Sequence, residues 1–183
     1  PRKGVDTVIQ GVALLRARHG IDAGLLVVGG ELGRARGRDS AEVARLRALA
    51  GQLGIAEHVR FTGQKARSEL RDYYGAADVF VTTPWYEPFG ITPVEAMAAG
   101  RPVITTDLPS GVREVNSHGR TGLVVPLRDP EALAQAMAKL ASDPTLRTQM
   151  GATGRQVVAE RFTRRQMAEA HLALYERILA GRR

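Results

Sequence analysis

The chain has no cysteine. That excludes disulfides, zinc–thiolate centres and cysteine nucleophiles together, and it is compatible with a cytoplasmic home. Aromatic residues make up only 5% of the 183 residues, too few for the stacking platforms that single-stranded nucleic acids require. No apolar run approaches the roughly 20 residues that cross a bilayer, and no signal peptide marks the start. Lysine is scarce as well: of 26 basic residues only Lys3, Lys65 and Lys139 are lysines. The formal net charge of +7 is therefore an arginine charge, spread along the chain without a basic block. Such a field attracts anionic nucleotides or an acidic membrane surface, and without a block or a stacking platform it does not indicate nucleic acid. The four histidines, His19, His58, His118 and His171, lack metal-ligand spacing, and no Asp-x-Asp pair closes a strand. No metal or other cofactor is expected.

What the chain does contain is the composition of one ordinary globular domain, 44% hydrophobic and 25% charged. Short β-branched segments at 25–28, 59–62, 79–82, 103–106 and 123–125 alternate with helical patterns at about 4–18, 40–53, 68–76, 93–99 and 111–116. The alternation predicts an α/β domain with a doubly wound, Rossmann-like parallel sheet, whose ligands belong at the carboxyl ends of the strands. The last third reads as helices at about 130–142, 145–160 and 164–180, two of them opened by Asp129-Pro130 and Asp143-Pro144. One feature departs from the pattern: a doubly wound domain should open with a strand, and here a helix follows directly on Lys3-Gly4.

Residues 86–100, YEPFGITPVEAMAAG, are the most informative stretch. Two acids, Glu87 and Glu95, bracket a glycine-containing turn that runs into a helix start. Thr92 suits the N-cap, Pro93 the first helical position and Glu95 the third, which together make a capping box. Gly100 and Pro102 then end the helix after about two turns. This reading leaves the N–H groups of Phe89, Gly90 and Ile91 free for an anion or a hydroxyl-rich ligand. Local chemistry allows each acid two roles. Glu95 is either a cap or a ligand group, and Glu87 either a solvated acid held extended by Pro88 or a ligand group.

Other candidates also carry two readings. Lys3, at a helix start, is either a phosphate ligand or a frayed terminal lysine. Gly29 and Gly30 open the run Gly29-Gly30-Glu31-Leu32-Gly33, which lacks the full G-x-G-x-x-G spacing; it reads as a flexible turn, or as a place where backbone meets ligand. Gly63, Gln64 and Lys65 close a strand as a plain loop or as a ligand contact. Trp85 and Tyr86 either pack their loop or wall a ligand pocket.

The string Glu87-Pro-Phe-Gly-Ile-Thr-Pro-Val-Glu95 resembles the E-x7-E signature of nucleotide-sugar glycosyltransferases of family 4 and their relatives in glycosyl transferases group 1, which have the GT-B fold. ADVFVTTPWYEPFGITPVEAMAAGRPVITTD, GRTGLVVPLRDPEALAQAM, VRFTG and PRKGVDTVI are similar to that family in the same order, and the likeness spans essentially the whole chain. The resemblance implies the donor-binding C-terminal half of a retaining, metal-independent bacterial hexosyltransferase. A nucleotide diphosphate sugar would be its donor substrate, and an N-terminal domain of the same protein would hold the acceptor. It further implies that Glu87 bonds the donor sugar, Glu95 the ribose and Lys3 the diphosphate, with Glu87 and Lys3 acting in catalysis. Backbone from Phe89 through Gly90 and Ile91 to Thr92 would hold sugar and phosphate, and Gly63 and Gln64 would meet the base. In the family a strand ending in Gly-Arg precedes the lysine loop; here the lysine matches, Arg2 has no assigned role, and the expectation is a piece that does not transfer sugar on its own. A non-catalytic nucleotide-sugar module and a sugar-nucleotide epimerase are the alternatives on the same fold.

Overall fold

The computed structural model describes residues 3–30 and 40–181. It opens with helix α1 (Val5–His19), entered through Gly4 in the left-handed region at φ 66°. Val8, Ile9, Val12 and Leu15 recur at helical spacing and form its buried face. Five short strands follow: β1 (Leu25–Val28), β2 (Val59–Gly63), β3 (Phe80–Thr82), β4 (Val103–Thr106) and β5 (Gly122–Val125). Between them lie α2 (Ala41–Gln52), α3 (Arg67–Ala76), α4 (Ile91–Ala98) and α5 (Val112–Val115), and beyond them α6 (Pro130–Ser142), α7 (Pro144–Arg161) and α8 (Arg164–Ala180). The sequence places each strand within a residue or so. Asp129 and Asp143 cap α6 and α7 as expected, accepting from Ala132 N–H at 2.9 Å and Leu146 N–H at 2.8 Å.

Every strand pair is parallel, which bears out the α/β fold class. The ladders form two sheets, however: β1 pairs with β2, and β3, β4 and β5 pair in that order. Among the described residues no ladder joins β1 to β3. Helices bridge the break. α1, α2 and α6 cover one face, where Val8, Ile9, Leu46, Leu133 and Leu140 meet Phe61, Ile104 and Leu123. On the opposite face Ala96 and Met97 of α4, Val115 of α5 and Val157 of α7 pack on Val103, with Phe80 and Tyr74 at the margin. Adjacent residues Val103 and Ile104 thus serve opposite cores, as the two-residue strand period requires. By contrast, Leu26 and Val28 of β1 remain 45% and 38% exposed on the uncovered side.

Close approaches fix the helices. A Cβ on Gly11 would lie 3.0 Å from Leu133, so glycine there sets the crossing of α1 on α6. Beneath the carboxyl end of β4, Asn116 is buried and donates to Thr105 Oγ1 at 2.9 Å and to the Leu123 carbonyl at 3.0 Å, while Thr121 Oγ1 donates to it at 2.9 Å. That fully paired network ties β4, α5 and the start of β5 together.

Candidate functional site

The site grows from the carboxyl end of β3. Thr83 continues the strand and its buried hydroxyl donates to the Gly4 carbonyl at 2.8 Å. This bond anchors the start of α1 against β3 and brings Lys3 over the following loop. There Lys3 Nζ donates to Glu87 Oε2 at 2.8 Å. The Glu87 carboxylate also lies near the backbone N–H groups of Gly90 and Phe89, which favour its charged form. Foremost the hydrogen bond from Lys3, then its charge and the two backbone donors, hold the Glu87 carboxyl below its ordinary value against the opposing effect of partial burial. Two of the expected site residues, 84 positions apart, therefore meet.

The helix that follows begins earlier than its sequence suggests. α4 starts at Ile91, and its N-cap is Gly90 at φ 95° with no side-chain cap. The capping box assigned to Thr92 and Glu95 does not form. Gly90 reaches a left-handed conformation open to glycine, so the turn closes two residues sooner. Pro93 still fits, because the first turn of a helix needs no N–H. The N–H groups of Phe89 and Gly90 face the Glu87 carboxylate and favour its charged form. Among the described residues those of Ile91 and Thr92 have no protein acceptor.

Glu95 sits one turn deeper in α4. Its Oε2 accepts the Tyr74 hydroxyl of α3 at 2.9 Å, and its Oε1 lies 3.9 Å from the exposed Arg67 guanidinium. Tyr74 in turn packs edge-on against Phe80, with ring centroids 5.6 Å apart. Burial first, then the bond to Glu95 and its charge, push the Tyr74 phenol up, so it stays a donor. Arg101 adds a second tie between the helices by donating to the Gly75 carbonyl at 2.6 Å.

The remaining candidates lie around this centre. Tyr86, Phe89 and Ile91 present exposed apolar surface, at 65%, 44% and 64%, and Phe89 meets Phe162 edge-on. Thr92 is exposed beside them. Trp85 lies half-buried under the Arg128 guanidinium, which stands 3.9 Å from its ring centroid. At the ends of β1 and β2, Gly29 N–H donates to the Gly63 carbonyl at 2.9 Å, and Gly29, Gly30 and Gly63 all have positive φ. Gln64 is exposed next to them, and Lys65 sits over the Tyr73 ring at 5.6 Å. Among the described residues no hydrogen bond joins this glycine cluster to the Lys3–Glu87 pair, and the cluster belongs to the β1–β2 sheet while Glu87 follows β3. Arg2 and the run from Glu31 to Gly33 lie outside the described residues. Among those residues no group of three or more potential ligands could hold a metal, and no helix is long and apolar enough to cross a membrane.

Sequence reasoning missed Tyr74, Thr83 and Arg128. Tyr74 stands in a Tyr-Tyr pair on a helix with no buried residues, and that pair was the available signal. Nothing in the sequence distinguished Thr83 from the other strand threonines.

With this geometry in hand, likeness to known proteins is informative. Residues 1–157 match the family described as Glycosyl transferases group 1. The D-inositol 3-phosphate glycosyltransferase of Jonesia denitrificans is 34% identical over 179 residues, covering 97% of this chain and 41% of that protein. The solved sucrose-phosphate synthase (tll1590) of Thermosynechococcus elongatus superposes with a TM-score of 0.84 at 34% identity, over 98% of this chain and 43% of that one. Anabaena Alr3699/HepE, solved in complex with UDP and glucose, gives a TM-score of 0.78 at 25% identity over 94% of this chain and 46% of that one. The chain therefore spans about two fifths of the length of such relatives. Strand placement, the Glu87–Glu95 spacing and these likenesses agree: the chain belongs to the glycosyl transferases group 1 family and has the fold of a GT-B glycosyltransferase C-terminal domain.

Proposed function

We propose that this domain binds the nucleotide diphosphate sugar for a retaining hexosyl transfer that needs no metal. The observation that carries the reading is the Lys3–Glu87 pair, 2.8 Å apart, directly before a helix whose first two N–H groups have no acceptor among the described residues. An ammonium has three donors, so Lys3 can keep Glu87 with one and hold a phosphate oxygen with another. The Ile91 and Thr92 N–H groups and the positive end of α4 add to that field. Charge developing on the departing diphosphate is then met by donors already in position. The Glu87 carboxylate, ionised at neutral pH, accepts a hydroxyl of the donor sugar and fixes its orientation. Glu95 accepts the ribose hydroxyls.

In the transfer itself the bond from the anomeric carbon to the diphosphate breaks and the acceptor oxygen bonds to that carbon on the same face. The acceptor proton leaves with the diphosphate oxygen. The acceptor is held by an N-terminal domain of the same protein. Relatives support the donor class: one structure of similar fold carries UDP and glucose.

The test is a thermal-shift screen of nucleotide sugars on the intact protein, paired with an assay of sugar transfer. We expect stabilisation by one nucleotide diphosphate sugar and its consumption when acceptor is present. Stabilisation without transfer to any acceptor would favour a non-catalytic binding module, and no stabilisation by any nucleotide sugar would refute the proposal.

A further inference from the structure

Glu95 is not placed by its own helix. It lies at the fifth position of α4, past the turn where a side chain can cap, and what touches it comes from α3. The Tyr74 hydroxyl meets Oε2 at 2.9 Å and the Tyr74 ring is held edge-on by Phe80 of β3. α3 is itself locked to the far end of α4 by Arg101, which donates to the Gly75 carbonyl. One carboxylate oxygen is thereby committed to a half-buried, oriented donor. Among the described residues the other faces Arg67, a side chain 86% exposed and 3.9 Å away. A ligand hydroxyl can displace so loose a neighbour, whereas it cannot displace Tyr74 without leaving a half-buried phenol unpaired.

We propose that Tyr74 is a positioning residue for nucleotide recognition: by holding Oε2 of Glu95 it fixes the carboxylate plane and leaves Oε1 as the acceptor for the ribose 2′- and 3′-hydroxyls. This rests on the nucleotide-sugar reading above. A carboxylate oxygen has two lone pairs, so one fixed oxygen serves both hydroxyls. Without Tyr74 the carboxylate turns freely about its last bond and must be ordered by the ligand, at a cost in affinity. Because burial and the neighbouring Glu95 charge keep the phenol protonated, the arrangement is the same across the physiological pH range.

Calorimetry on the intact protein tests this with UDP, GDP and their 2′,3′-dideoxy analogues, for the wild type, Y74F, E95Q and the double variant. Tyr74→Phe keeps the ring that packs on Phe80 and removes only the hydroxyl. We expect Y74F to bind the preferred ribonucleotide roughly tenfold more weakly, the size of one hydrogen bond to a charged group. Its affinity for the dideoxy analogue should match the wild type, and the double variant should bind no more weakly than E95Q. The ratio of ribo- to dideoxynucleotide affinity is internal to each variant, so it does not depend on small changes in folding. An unchanged ratio in Y74F, or losses that add in the double variant, would overturn the role of Tyr74 while leaving nucleotide binding intact. Failure of the wild type to bind either nucleotide would instead overturn the nucleotide reading, and this inference with it.

Discussion

Substituting Gly4 by alanine should damage both the fold and the site, and the structure allows the damage to be sized. Gly4 is at φ 66°, where an alanine costs about 1–2 kcal/mol. An added Cβ would stand 1.8 Å from the Thr83 carbonyl oxygen, and 2.8 Å from the carbon bearing it. Backbone on both sides makes that overlap hard to relieve, so the start of α1 must retreat. Retreat breaks the buried bond from Thr83 Oγ1 to the Gly4 carbonyl, at 2.8 Å, for about another 1 kcal/mol. With the packing lost around Val8 and Ile9, the sum is about 3–5 kcal/mol, which for a chain of this size lowers Tm by roughly 10 °C. The same retreat carries Lys3 away from Glu87, so nucleotide-sugar affinity falls with stability. Thr83→Val, which removes the hydrogen bond but adds no clash, should lose only about 1–2 kcal/mol. Thermal denaturation and calorimetry on the three proteins would decide. A Gly4→Ala variant that melts within about 2 °C of the wild type, with its affinity intact, would refute the coupling of α1 to the site through Gly4 and Thr83.

Other expectations follow from the same contacts. Lys3→Met should leave stability within about 1 kcal/mol, because the Lys3 side chain is 63% exposed, while nucleotide-sugar affinity falls about tenfold or more as a charged phosphate contact is lost; equal affinity by calorimetry would remove Lys3 from the site. The Glu87 carboxyl is depressed below 4.5, so its pairing with Lys3 is complete above that pH and is lost as the pH falls through its lowered value. Denaturation between pH 5 and about pH 2 should therefore be slightly less steep for Glu87→Gln than for the wild type, and superimposable curves would contradict the pairing. Asn116→Ala strips two buried threonines and a strand carbonyl of their partner. It should cost about 2–4 kcal/mol in chemical denaturation, and a loss under about 1 kcal/mol would show that water replaces the amide.

Much of the architecture was legible because its signals are local. Runs such as Val103–Thr106 stand between punctuating residues, and Asp129-Pro130 or Asp143-Pro144 start helices by a mechanism confined to one turn. The α4 start was misread for an equally local reason: Thr92-Pro93-x-Glu95 has the letters of a capping box, but Gly90 has a backbone conformation that closes the turn first. The pairing of acids with partners was not legible at all. Glu87 meets a lysine 84 residues away because a threonine hydroxyl holds Gly4, and Glu95 meets Tyr74 because two helices are tied at Arg101. Side-chain type and spacing carry no record of such contacts. The division into two sheets was equally hidden, since each strand pattern is satisfied whichever neighbour it has.

That division has a consequence for how the molecule breathes. Among the described residues no ladder crosses the break, and the β1–β2 unit and α2 are fastened to β3–β5 through α1 and the residues that it shares with both. A region joined by packing and a few side-chain bonds, such as Arg16 to the Ala23 carbonyl and Arg45 to Asp6, can open without breaking a hydrogen-bonded ladder in the other. We expect the domain to open as two cooperative units rather than one. The glycine cluster at the ends of β1 and β2 belongs to the β1–β2 unit, and the Lys3–Glu87 pair to the start of the fastener itself. A ligand that grips both would act as a clasp, lowering local opening as it binds.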